Sequence, residues 1–174
     1  MSVTGINRAI IMTSIVGILI STYALYVEMA AEAQPGYKAL CDISEHASCT
    51  RVLTSEFSKG FGFVAEDSSF EVPNCIYGVV FYCIVIFLST FDQAAVVRLQ
   101  QFLCLAAAAS CVYLAYLLLF VLFDFCIVCV STYVVNGILV ILVHFIILCY
   151  NIKLYSRLII VYPKIISKNE IISN

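Results

Sequence analysis

Four long apolar stretches, at about 9–29, 75–91, 99–123 and 125–150, constrain this chain more than any other feature. About 20 such residues cross the ~30 Å hydrocarbon layer as a helix, which satisfies its backbone hydrogen bonds internally. The second stretch is somewhat short and has to borrow flanking polar residues. With 63% hydrophobic and 11% charged residues among 174, the chain lacks the polar surface that a water-soluble domain of this length needs. The expected fold is therefore an all-α integral membrane protein, a four-transmembrane-helix bundle forming a single domain over 1–174. A rival reading of the first stretch is a cleaved secretory signal, because Ala31-Glu32-Ala33 mimics a cleavage site. Its length exceeds the ~7–15 apolar residues of such signals and favours a retained span.

Between the first two stretches the character changes. Residues 30–73 are acidic, serine-rich and interrupted by turn formers, and make the one sizeable extramembrane loop. Within it Phe57-Ser58-Lys59-Gly60-Phe61-Gly62-Phe63-Val64 spaces aromatics around glycines, as suits a lid dipping into the membrane interface. In the third stretch, Ala106-Ala107-Ala108-Ala109-Ser110 would let a neighbouring helix approach closely. His144, inside the fourth, reads as an interior or helix-contact residue. Charge then sets orientation. Arg8, Arg98, Lys153, Arg157, Lys164 and Lys168 fall on one side of a four-span bundle against Asp92 and Glu170, so that side, with both termini and the basic tail 151–174, should be cytosolic. The other side receives the loop acids, with Glu28 counted among them, and Asp124.

The nine cysteines stand at 41, 49, 75, 83, 104, 111, 126, 129 and 149, an odd number that cannot pair completely within the chain. Cys83, Cys104 and Cys111 fall in apolar runs and read as small packing residues. Cys126 and Cys129 differ. Three residues apart where the fourth helix should begin, they sit one turn apart on one face and can close a disulfide, with Tyr133 one turn further. A helix N-terminus favours the nucleophilic thiolate, and Asp124 is the candidate N-cap. Cys41 and Cys49 in the loop share the non-cytosolic side with this pair. In a eukaryotic cell that side is the oxidising endoplasmic reticulum lumen, so two dithiols there suggest an electron relay by thiol-disulfide exchange. Two plainer readings compete: a closed Cys₄ zinc site, disfavoured by the loose eight-residue loop spacing, and a static Cys41–Cys49 staple.

Several motifs together resemble the vitamin K epoxide reductase family: Phe123-Asp124-Phe125-Cys126-Ile127-Val128-Cys129, Thr132-Tyr133, Cys41-Asp42, Ser48-Cys49-Thr50-Arg51-Val52, Gly60-Phe61-Gly62 and Asn74-Cys75-Ile76-Tyr77-Gly78. The resemblance runs in order from the first stretch through the fourth. It implies a quinone pocket in the bundle capped by the loop. Cys129 would attack the quinone or epoxide, Cys126 would close the active-site disulfide and exchange with Cys49, and Cys41 would take electrons from a lumenal thioredoxin-fold partner of the disulfide isomerase type. Asn74 and Tyr133 would hydrogen-bond the substrate oxygens, and Phe81 and Leu114 would wall the pocket. Departures from the mammalian pattern at Leu53, Glu56, Phe57 and Cys75 leave the redox core intact and bear on lid anchoring and coumarin-type inhibitor binding.

The implied activity is reduction of vitamin K 2,3-epoxide, and of the quinone, in the endoplasmic reticulum membrane. Vitamin K is a substrate there, and neither a tightly bound cofactor, a metal nor a nucleic-acid partner is expected beyond the redox-active disulfides and surrounding lipid. The same wiring run backward would make disulfides for secretory folding with a quinone as acceptor. A non-enzymatic four-span scaffold is the reading from another class. It fits poorly, since the chain has no tryptophan for a claudin signature and no Cys-Cys-Gly motif for a tetraspanin loop.

Overall fold

The computed structural model describes residues 3–44, 47–62 and 72–172, with side chains to residue 152. Phe63 and Val64 of the aromatic patch, several loop acids and the side chains of the basic tail lie outside the described residues. Five helices carry the fold: α1 (Val3–Ala33), α2 (Cys49–Leu53), α3 (Asn74–Leu88), α4 (Ala94–Phe120) and α5 (Ile127–Ile172). Two short 3₁₀ turns, Glu56–Ser58 and Gly60–Gly62, sit between α2 and α3. Among the described residues extended structure is limited to two isolated bridges, Ser44 with Ala47 and Lys59 with Pro73.

Among the described residues three helices are long and apolar enough to cross a membrane: α1, α4 and α5 over Ile127–Ile152. Helix α3 is apolar, but its 15 residues reach only about 22 Å, short of a hydrocarbon layer on their own. The outward faces are apolar, with Met12, Leu19, Phe102, Val112, Ile141 and Phe145 all more than half exposed. A soluble bundle hides such residues, and one sealed in lipid displays them. His144 is also on this exterior rather than inside the bundle.

Helix α1 packs on α3 and α5, and α4 packs on α5. Because lipid is as apolar as these side chains, close fit rather than exclusion from water holds the helices together. The contact face of α1 steps through Ile10, Ser14, Gly17, Ser21, Ala24 and Glu28, all buried. The alternating three- and four-residue steps keep them on one stripe. At Gly17 the fit is tightest: a Cβ there would come within 2.5 Å of the Tyr82 ring, itself fully buried on α3. Two cores result. One gathers Ile10, Tyr82, Val85, Leu139, Val143 and Ile146; the other gathers Ala24, Val27, Val52, Leu53, Leu118 and Val128 around Cys49 and Cys126.

Element boundaries depart from expectation where helices run on past their apolar stretches. Helix α1 continues to Ala33, so Glu28 lies within the helix and is buried instead of belonging to the loop. Arg98 lies in the second turn of α4, not in a connector, and α5 carries the backbone well into the tail as one 46-residue helix. The small run at 106–110 does not simply seal a helix contact either, since Ala106, Ala107 and Ser110 line an open cavity.

Candidate redox site

The loop cysteines are placed by a polar scaffold. The Asp42 carboxylate accepts hydrogen bonds from the Ala39 N–H (3.0 Å), the Ser48 hydroxyl (2.9 Å), the Thr50 N–H (3.0 Å) and the Thr50 hydroxyl (2.6 Å). Desolvation pushes the Asp42 pKa up, but these four donors outweigh it and hold the carboxyl below its ordinary range. Ser48 in turn caps α2 by accepting from the Arg51 N–H. The network folds the chain back on itself and closes a Cys41–Cys49 disulfide, with Cα atoms 5.8 Å apart. Closing so short a loop is worth roughly 2–3 kcal/mol.

The helix pair is placed by backbone geometry. Cys126 immediately precedes α5, and its sulfur accepts the Cys129 N–H at 3.3 Å while its carbonyl accepts the Val130 N–H at 3.0 Å. That is an N-cap performed by a thiol. Asp124, expected in this role, is instead engaged by Arg51, whose Nε and Nη2 donate to its two oxygens at 2.7 and 2.9 Å. The fork ties the loop pair's helix to the approach of the helix pair. Between α4 and this approach the chain turns through Phe123 with φ 51°, a left-handed conformation that is strained for a bulky residue. Cys126 and Cys129 are free thiols in this state.

Cys129 faces a cavity of about 340 Å³, within the range of small-molecule sites, and a chamber of about 90 Å³ beside it. Asn74, Leu114 and Tyr133 border both spaces, and Phe81 borders the larger. Cys126 borders neither. It is fully buried in the same cluster as Cys49, with its thiol within hydrogen-bond reach of the Cys129 thiol. Cys129, Asn74, Tyr133, Phe81 and Leu114 therefore share one cavity, while Cys126 and the loop pair lie off its wall.

Asn74 holds the lid. Its Oδ1 accepts the Phe61 N–H at 2.9 Å and its Nδ2 donates to the Phe57 carbonyl at 2.7 Å. Phe61 has φ 57° and stacks on Tyr77 with ring centroids 5.6 Å apart, between Gly60 and Gly62, which also have positive φ. At Gly62 a Cβ would meet the Phe57 ring at 2.6 Å, so glycine serves both backbone and packing there. Lys59 pins the same turn to α1 through Glu32 at 2.9 Å.

Sequence reasoning left out several lining residues. Glu28 borders the smaller chamber, while Tyr82, Cys111 and Asn136 border the larger. A signal for Glu28 was present: extending the stripe Ser14, Gly17, Ser21, Ala24 by one step lands on it.

Comparison with known proteins gives the family. Residues 8–144 match the model of the "Vitamin K epoxide reductase family". The chain is 40% identical over 124 residues to mouse (Mus musculus) "Vitamin K epoxide reductase complex subunit 1", covering 69% of this chain and 77% of that one. The rat (Rattus norvegicus) protein of the same name is 39% identical over 125 residues, covering 70% and 78%. The match spans the loop, the lid and the C-x-x-C helix, and the chain belongs to the vitamin K epoxide reductase family.

Proposed function

We propose that this protein reduces vitamin K 2,3-epoxide to the quinone, and the quinone to the hydroquinone, with electrons passed from protein thiols through Cys41 and Cys49 to Cys126 and Cys129. The single observation that carries the reading is the split exposure of the helix pair. Cys129 faces a largely apolar cavity of suitable size, whereas Cys126 is buried beside Cys49. Family membership supplies the substrate class.

In this reading α3, extended by flanking residues, completes a four-span bundle. The loop 30–73 then caps the pocket on the lumenal side of the endoplasmic reticulum membrane, with both termini cytosolic. The Cys129 thiolate attacks a ring carbon of the epoxide, forming C–S and breaking C–O. Cys126 then attacks the Cys129 sulfur, returning the C–S electron pair to the ring, which expels the former epoxide oxygen as water. Tyr133, and the second N–H of the Asn74 amide, donate to the substrate oxygens where charge builds. The Cys126–Cys129 disulfide is reduced by Cys49 attacking Cys126, and Cys41 then closes on Cys49. A lumenal thioredoxin-fold oxidoreductase of the disulfide isomerase type reopens the loop pair through a mixed disulfide.

The test is turnover of vitamin K 2,3-epoxide by the protein in detergent or microsomes, driven by a small dithiol. Wild-type protein should form quinone. Cys129→Ser should lose turnover by ~10³-fold or more, as removal of a nucleophile does. Activity of Cys129→Ser near wild type would overturn the mechanism.

A further inference from the structure

The relay accounts for the electrons of the reaction but names no side chain for the protons. Glu28 lies at the end of the α1 contact stripe with 2% exposure, and borders the smaller chamber together with Cys129, Tyr133, Asn74 and Cys75. Its Oε2 accepts a hydrogen bond from the Cys75 thiol at 3.5 Å. Its Oε1 is buried and accepts no hydrogen bond of good geometry, with the Ser58 hydroxyl close to the carboxyl. A carboxyl oxygen buried without a donor is unfavourable unless it carries a proton. Carrying one, it becomes a donor on the chamber wall. Such a group beside the attacking thiol sits where a departing oxygen would need it.

Resting on the activity proposed above, we propose that Glu28 is the catalytic acid of epoxide reduction, held in position by Cys75. As Cys129 opens the epoxide, the C–O electron pair moves to oxygen, which takes the Glu28 proton and becomes a hydroxyl. The Glu28 carboxylate then takes the Cys126 proton as that thiol attacks the Cys129 sulfur. The ring enolate expels hydroxide, Glu28 protonates it to water, and the proton given up in forming the Cys129 thiolate restores the acid. The balance is epoxide plus two thiols to quinone, one disulfide and water. No further reductant or oxidant enters.

Among the described residues, the groups facing Glu28 come from each element packed against it. Cys75 faces it from α3, and Ser58 and Lys59 from the lid; Glu32 lies one turn on in α1. Cys129 and Tyr133 stand across the chamber on α5, and α2 and α4 contribute the apolar Val52, Leu53, Leu114, Leu117 and Leu118. Lys59, the cation of the group, is paired with Glu32.

The experiment is the pH profile of kcat for vitamin K 2,3-epoxide with a small dithiol. Wild type should rise with the thiols' ionisation and fall again as Glu28 loses its proton. Glu28→Gln, which keeps shape and polarity, should lower kcat by about 10²-fold with KM within twofold, and the falling limb should disappear. Glu28→Asp keeps an acid one methylene shorter and should retain the limb at reduced kcat. Cys75→Ser preserves the hydrogen bond and should stay nearer wild type than Cys75→Ala. Folding of each variant is read from the Cys41–Cys49 disulfide. Should Glu28→Gln be unable to fold, Glu28→Asp without a falling limb overturns the proposal, as does a Glu28→Gln protein with wild-type kcat and profile. Wild-type protein with no epoxide turnover at all would instead overturn the activity on which the proposal rests.

Discussion

The two cysteine pairs are chemically alike and structurally opposite. Cys41 and Cys49 are joined across a turn whose shape depends on side chains, above all on four donors converging on Asp42. Cys126 and Cys129 depend on side chains hardly at all. The start of α5 sets their spacing, and the capping bond from the Cys129 N–H fixes the Cys126 sulfur. A pair held by side-chain hydrogen bonds can open and re-form with little disturbance to the helices. A pair written into a helix cannot move far, and keeps its sulfur at one place on the cavity wall. The difference matches a division of labour between a shuttle and a fixed reaction centre.

The sharpest way to break the comparison is to remove one sulfur from each pair and vary the reductant. Cys49→Ser should keep epoxide turnover within a few-fold of wild type with a small dithiol, which reaches the helix pair directly. With a thioredoxin-fold protein as donor it should fall by ~10²-fold or more, because the relay is cut. Cys126→Ser should fail with both donors, since the adduct on Cys129 has no resolving thiol. Quinone formation measured with the two reductants separates the cases. Equal losses for Cys49→Ser with both donors would mean that the loop pair is a staple.

A smaller effect is expected at Asn74, where lid and cavity meet. Asn74→Ala removes two hydrogen bonds and leaves the Phe61 N–H and the Phe57 carbonyl without these partners, at a cost of about 1–3 kcal/mol to the closed lid. KM should rise about tenfold or more, with protease sensitivity appearing at the lid. Gly62→Ala tests the same closure from the other side, through a positive φ of 72° and a clash with Phe57. Wild-type KM in both variants would show that the lid is not what retains substrate.

Much of this was legible in the sequence, for reasons that differ by region. Apolar length announced α1, α4 and α5, and the C-x-x-C spacing announced two thiols on one turn, because helical periodicity converts sequence distance directly into position. The polar contacts were less readable. Asp124 reads as an N-cap because the apolar stretch begins at Phe125, yet the helix starts at Ile127, and Arg51 from 73 positions away claims the carboxylate and leaves the cap to Cys126. Asn74 was read as a substrate ligand, and its amide also ties down a loop 13 to 17 residues upstream. Glu28 reads as a loop charge because apolar pattern says where a span can end, not where its helix does. In each case the deciding partner is remote in sequence and polar, and periodicity carries no information about such a partner.

Asp42 gives the comparison a pH axis. Its folded carboxyl titrates below the unfolded value near 3.9, so the stabilisation it lends the loop is complete above that value. It is lost as pH falls through the lower, folded pKa. Acidification below about pH 4 should therefore loosen the loop pair while leaving the helix pair in place. Asp42→Asn should do the same at neutral pH, read as faster reduction of the loop disulfide by a small dithiol. Alkylation of Cys126 and Cys129 in the same samples should not change. Faster alkylation of the helix pair would show that the two regions are not independent.

The smallest expected effect tests the link between the regions. Arg51 is more than half exposed, so its fork to Asp124 is worth only about 0.2–1 kcal/mol of stability. Arg51→Ala should barely change thermal unfolding. The fork nevertheless ties α2, which begins at Cys49, to the residue two before Cys126, and so joins the two sulfurs proposed to exchange. Turnover with a protein donor should therefore fall several-fold while turnover with a small dithiol holds. Arg51→Lys keeps the charge but not the two-pronged geometry, and should behave like Arg51→Ala if alignment matters and like wild type if charge alone does. The ratio of the two donor rates in the two variants decides between them.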